Sequence, residues 1–306
     1  MIESPPEQRR PEIQLAPALP GERLRIRSSS GDLNVYCLGD GAPLLLIHSI
    51  NAAASAAEVR PLQEHFSTHR RVFCPDLPGY GLSERSDLPY SPRRMTDAII
   101  ETVRLIQATC GTAPIDALAL SLSSEYLARA ALDWPGAFRS VSLVSPTGLS
   151  GRVPRRGPPG SERGIPWLYR LLRGRSDGEF WFRQLTRPGV IRYFLGRTWG
   201  SKHIDEELWR YDCEASRQPG AQFAPLRFLG GYLFSGDIHT IYEALTLPVW
   251  MCHGVRGDFT DYRNQKIVAG RSNWSFTVYP TGALPHFELP QVFCADYERF
   301  MAQLRC

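Results

Sequence analysis

The sequence predicts an α/β protein built on a mostly parallel, eight-stranded sheet flanked by helices, with one helical insertion. Short apolar runs alternate with segments of helical spacing from about residue 22 to Thr147, and the alternation resumes at Leu247. Between these stretches lie about a hundred residues with no convincing strand. Several runs, such as Pro43-Leu-Leu-Leu-Ile-His, are apolar at every position, as strands buried on both faces must be. A chain of 306 residues, 43% hydrophobic, suffices for one large core carrying an insertion.

Residues 1–21 are Pro-rich and aperiodic and read as a loose leader. Residues 23–27 and 33–37 form a hairpin around Ser-Gly-Asp, and residues 43–48 the third strand. Helical spacing covers residues 54–66. Arg71-Val-Phe-Cys is the fourth strand, running into Asp76-Leu-Pro-Gly-Tyr-Gly-Leu-Ser. Ser91-Pro92 then supplies an N-cap and an N1 proline for a helix ending near Ala108. Residues 115–120 and 140–145 are strands five and six, with a helix over 123–132 between them.

Residues 148–246 carry aromatic, helical spacing broken by Arg-Arg-Gly-Pro-Pro-Gly, Arg-Pro-Gly and Gln-Pro-Gly, and read as a helical cap. The core is then 22–147 together with 247–306. Its last strands are Pro248-Val-Trp-Met-Cys-His and Trp274-Ser-Phe-Thr-Val-Tyr, and a helix over 288–304 closes it. No internal repeat is present.

The fifth strand ends at Ser121 and passes at once into the helical pattern Ser-Ser-Glu-Tyr-Leu-Ala-Arg-Ala-Ala-Leu. Such a corner lifts a hydroxyl clear of the sheet and leaves the Leu122 amide near a helix start, where the dipole favours developing negative charge. The flanks are small, Ala119 and Ser123 in place of glycines. That pattern alone recurs by chance about once in a chain of this length, so its weight comes from its position.

Composition excludes several classes. The net charge is +4, but residues 152–197 hold 11 arginines and 3 acids, a local +8, interleaved with aromatics. No nucleic-acid motif accompanies them, so no nucleic-acid partner is expected. An anionic group on the substrate or a solvated basic face accounts for the arginines. No apolar run is long enough to span a bilayer and the N-terminus lacks an apolar targeting core, so a cytoplasmic protein without a membrane partner is expected. The seven cysteines show no Cys-x-x-Cys or His-flanked spacing and read as reduced core thiols. Neither a metal nor another cofactor is expected.

Ligands of open parallel sheets sit at the carboxyl ends of the strands. There the sequence places His48-Ser49-Ile50-Asn51 after the third strand, Ser121 after the fifth, Asp258 after the seventh and His286 after the eighth. The order Ser, Asp, His, with an insertion between the sixth and seventh strands, resembles the α/β-hydrolase superfamily, in particular its lidded esterases, C–C bond hydrolases and haloperoxidase-like members. The resemblance covers about residues 22–304. It rests on the His48 strand end, the Asp76 turn, the Ser121 corner, His253-Gly254 with Asp258, and Pro285-His286-Phe287-Glu288.

The resemblance implies a catalytic triad of Ser121, Asp258 and His286. A serine hydroxyl needs a neutral imidazole to accept its proton, and the imidazole needs a carboxylate to fix its tautomer and stabilise its charged form. Asp258 lies one residue later than the pattern's usual acid, and Asp261 is the competitor. The oxyanion hole would pair the amide of Leu122 with that of Ile50 or Asn51, and the Asn51 side chain is either an extra donor or a turn residue. His48 and His253 read as structural. The expected activity is hydrolysis of a carboxylic ester or thioester through an acyl-enzyme on a small, largely apolar substrate. C–C bond hydrolysis or acyl transfer with the same triad, a small-molecule receptor on this scaffold, and a degenerate hydrolase are the alternatives.

Overall fold

A computed structural model describes residues 14–28, 31–151, 153–174 and 178–304. Eight strands form one sheet: β1 (Glu22–Ile26), β2 (Leu33–Leu38), β3 (Pro43–Ile47), β4 (Arg71–Pro75), β5 (Ile115–Leu120), β6 (Phe138–Val144), β7 (Val249–Gly254) and β8 (Trp274–Tyr279). Their spatial order is β1-β2-β4-β3-β5-β6-β7-β8, and only the β1–β2 and β2–β4 pairings are antiparallel. The continuous runs fall at the centre, as expected: β5 is buried along its whole length and lies between β3 and β6.

Helices α1 (Arg60–Phe66), α2 (Pro92–Cys110), α3 (Ser123–Asp133), α10 (Pro285–Glu288) and α11 (Pro290–Gln303) belong to the sheet-forming part. Ser91 caps α2 by accepting from the Arg94 amide, with Pro92 in the first turn. Between β6 and β7 lie six further helices: α4 (Pro166–Arg173), α5 (Gly178–Leu185), α6 (Pro188–Trp199), α7 (Glu206–Ala215), α8 (Phe223–Leu229) and α9 (Ile238–Ala244).

Two expectations need correction. Residues 1–13 of the expected leader lie outside the described residues, and residues 14–21 are mostly exposed but anchored at two points. Leu15 and Leu19 are buried, the Ala18 amide donates to the Tyr36 hydroxyl, and Tyr211 donates to the Ala16 carbonyl. Residues 54–66 split into a 3-10 turn over Ala56–Val59 and then α1, with Pro61 in the first turn of α1. The closing helix is likewise two, since the backbone of Leu289 leaves the helical region before Pro290.

Two buried polar clusters hold the frame around the strand ends. At the amino end of β5, Asp116 accepts from Arg70 at 2.8 Å, from Arg139 Nε at 2.9 Å and from Ser140 at 2.7 Å. On α3, nine residues are buried, and the insertion clamps it: Tyr126 donates to the Leu233 carbonyl, Glu125 accepts from the Ser235 amide, and Arg129 pairs with Asp237 at 2.6 Å. The helix that carries the Ser121 corner is thus fixed on both sides.

Candidate active site

Ser121 joins β5 to α3 with φ +51°, the left-handed region that costs a residue other than glycine about 1–3 kcal/mol. Its amide donates to the Val144 carbonyl at 2.8 Å, and its own carbonyl accepts from Ser124. Those bonds tie the corner to the end of β6 and to the first turn of α3. Leu122 flanks the helix start, so its amide is among those with no acceptor within α3. Among the described residues other than glycine, Ser145 is the second with positive φ, at +47°, directly after β6.

The loop after β3 is organised by a residue the sequence reading passed over. The buried Glu58 carboxylate accepts from the Ser49 amide at 2.6 Å, the Ser49 hydroxyl at 2.9 Å and Asn51 Nδ2 at 2.7 Å. Asn51 Oδ1 accepts from the Ala53 amide at 2.7 Å. Both ends of the Asn51 side chain therefore hold the loop, and Asn51 is a turn residue here instead of a side-chain donor. His48 is structural as expected: its Nε2 accepts from the Leu77 amide at 2.9 Å, so Nδ1 carries the proton and donates to the Ser49 carbonyl at 2.6 Å. Burial pushes its pKa down to about 4.

The expected triad is not assembled. His286 is completely buried in α10, and its Nε2 donates to the backbone carbonyl of Glu58 at 2.8 Å. Its Nδ1 is buried without a partner. Burial, opposed by the Glu58 carbonyl, lowers its pKa to about 4. A triad histidine needs the reverse tautomer, with a proton on Nδ1 facing a carboxylate and a bare Nε2 facing the serine.

The Asp258 carboxylate is bound by Arg197 of α6, with Nε 2.8 Å from each oxygen. Asp261, the competitor, pairs with Arg263 at 2.7 Å and accepts from the Gly151 amide, and Arg263 holds it below the usual carboxylate range. Neither acid bonds the imidazole. The part of the β8–α10 loop that comes to the sheet end is Ala283. Its carbonyl accepts from the Ser145 hydroxyl at 2.7 Å, and its amide donates to Thr198 at the end of α6. His286 lies three residues on and bonds to the Glu58 segment.

Two further groups near this loop escaped the sequence reading. Asp212 of α7 is 2% exposed with Oδ1 unpartnered, and burial, with Glu58 and Asp205 as negative neighbours, raises its pKa well above the carboxylate range. Tyr80 in the turn after β4 is buried with its hydroxyl unpartnered. Glu58 was detectable as an acid inside Ala-Ala-Glu-Val, a segment otherwise apolar; Asp212 gave no comparable signal. Among the described residues no three metal-ligating side chains are grouped to hold an ion.

A family model described as "Alpha/beta hydrolase family" matches residues 44–296. No curated protein matches the sequence. Among solved structures, a serine hydrolase involved in carbazole degradation superposes with TM-score 0.70 at 13% identity, covering 92% of this chain and 99% of the other. A meta-cleavage product hydrolase from Pseudomonas fluorescens IP01 gives 0.68 at 17% identity, covering 92% and 97%. A thermophilic esterase from Thermogutta terrifontis gives 0.68 at 16%, covering 94% and 100%. Identities this low establish the shared fold alone. The family match spans most of the sheet and the whole insertion, and with it the chain belongs to the alpha/beta hydrolase family.

Proposed function

We propose that the chain hydrolyses a carboxylic ester or thioester through an acyl-enzyme on Ser121. The observation that carries this reading is the Ser121 corner. A half-buried serine held at φ +51° between a buried strand and a helix start supports a nucleophile there, with the Leu122 amide as the expected oxyanion donor. The second amide is that of Ile50, in the loop that Glu58 braces. Solved structures of this fold include an esterase and a meta-cleavage product hydrolase by their descriptions, which supports a hydrolytic reading. The insertion would act as a cap whose aromatic residues select a small apolar substrate.

The base must be His286, and it serves only by carrying its proton on Nδ1 instead of Nε2 and exchanging the Glu58 carbonyl for the Ser121 hydroxyl. With no carboxylate on Nδ1, the imidazolium it forms lacks a stabilising partner. Losing that partner in a serine triad lowers kcat by about 10⁴, so slow turnover is expected. A second reading, a small-molecule receptor on the same scaffold, is favoured by one observation: His286 and Asp258 are both engaged elsewhere.

Turnover of p-nitrophenyl esters of graded chain length by wild type and Ser121→Ala separates the two. Slow hydrolysis that Ser121→Ala abolishes supports the acyl-enzyme. Equal rates in both proteins, or none in either, leave the receptor reading.

A further inference from the structure

Eight of the thirteen large apolar residues exposed among the described ones fall within residues 153–194. On α4, Trp167 and Leu171 are 65% and 66% exposed and one helical turn apart, so they share an outward face. On α5, which packs beside α4, Phe180 and Trp181 are exposed and in edge contact at 5.6 Å. On α6, Tyr193 and Phe194 are exposed and in contact at 5.4 Å. Scattered exposed apolar residues need no explanation, but a concentration of aromatics on one segment does.

Charge says what covers this segment. Residues 152–197 carry +8, from 11 arginines and 3 acids; Arg156, Arg173, Arg183, Arg192 and Arg197 are ion-paired, four of them with acids outside the segment, and a positive excess remains. Arg170 lies between Trp167 and Leu171, and its guanidinium bonds only to the Pro166 carbonyl, with no acid partner among the described residues. Arginine forks match phosphate, and tryptophan and tyrosine suit the boundary between headgroups and acyl chains. Tryptophan, tyrosine and arginine also anchor protein interfaces, but the positive excess of this segment favours an anionic bilayer surface, which takes aromatic and cationic groups together.

We propose that the exposed aromatic face of α4 and α5 docks on an anionic phospholipid surface. The association is peripheral, since no helix among the described residues is long and apolar enough to cross a membrane. The expectation of no membrane partner considered spanning segments and a targeting core, and a surface of this kind contains neither. The inference goes beyond the chemistry at Ser121 and stands whether or not Ser121 turns over.

The test is co-sedimentation of the full chain with vesicles of phosphatidylcholine alone or mixed with phosphatidylglycerol. Wild type is expected in the pellet with the mixed vesicles and in the supernatant with phosphatidylcholine, with binding weakened by salt. The double change Trp167→Ser and Leu171→Ser should weaken binding about tenfold or more. Arg170→Gln should weaken it roughly fivefold. All three side chains are exposed, so unchanged thermal unfolding confirms that the variants fold. Wild type that stays in the supernatant with mixed vesicles overturns the proposal, as does full binding by the double variant. A concentration-dependent dimer that the double variant dissolves, with no vesicle binding, assigns the face to a second copy and overturns it too.

Discussion

His286 donates its Nε2 proton to the Glu58 carbonyl at 2.8 Å, joining the residue expected as the catalytic base to the segment that braces the loop after β3. The bond makes the imidazole part of the frame. Its consequences for stability and for catalysis can be measured separately.

The contribution of His286 and His48 to stability should fall as pH drops from about 6.5 towards 4. Burial holds both His286 and His48 near pKa 4, below the ordinary value of 6.5. Below 6.5 these two sites therefore bind more protons in the unfolded chain than in the folded one, and their contribution is lost as pH falls through this window. Urea unfolding of wild type and His286→Gln across the window checks this. The variant should lose about half of the pH dependence due to these two groups, and an unchanged pH dependence contradicts the burial argument.

Asp258→Asn and Asp261→Asn should each leave ester turnover within about threefold of wild type, because both carboxylates face arginines and neither orients His286. A loss of about 10³-fold or more for one of them identifies that residue as a triad acid brought in by rearrangement. Steady-state kinetics of the two variants decides.

Glu58→Ala removes the acceptor of three hydrogen bonds that shape the Ser49–Asn51 loop. Acylation should drop by about 10²-fold or more if the Ile50 amide is an oxyanion donor, as for loss of one such group. Far-UV dichroism monitors folding. A correctly folded variant with wild-type acylation removes Ile50 from the account.

Ser121→Gly should raise stability by about 1 kcal/mol, since glycine adopts φ +51° without the strain a serine pays there. Ser121→Ala keeps the Cβ and should not show this gain. Urea midpoints of the two variants distinguish backbone strain from loss of the hydroxyl.

Asp116→Asn should cost about 3–5 kcal/mol, because it leaves Arg70 and Arg139 facing a neutral group in a buried site. Burial alone would raise the Asp116 carboxyl, but the bonds from Arg139 and Arg70 outweigh it and hold the pKa down. The contribution is present above the ordinary carboxylate range and is lost as pH falls below it. A midpoint close to that of wild type contradicts this role.

What the sequence disclosed follows from how far each signal reaches along the chain. The β3 run, the Ser91-Pro92 helix start and the strand-to-helix corner at Ser121 are written in adjacent residues, and each appears where expected. The placement of Asp258 depends on Arg197, 61 residues away, and the orientation of His286 on a backbone carbonyl 228 residues away. No periodicity reports such partners. The order Ser, Asp, His put three residues after β5, β7 and β8 but did not tell which way their side chains turn. The break of the last helix at Leu289 was more accessible, because Pro290 follows it.

The central claim concerns Ser121, and labelling tests it most directly. Wild type and Ser121→Ala are treated with a fluorophosphonate, weighed intact by mass spectrometry, and digested to map the adduct. The account predicts a single slow adduct on the peptide carrying Ser121 and none in the variant. No adduct in wild type, or an adduct that Ser121→Ala retains, would contradict it.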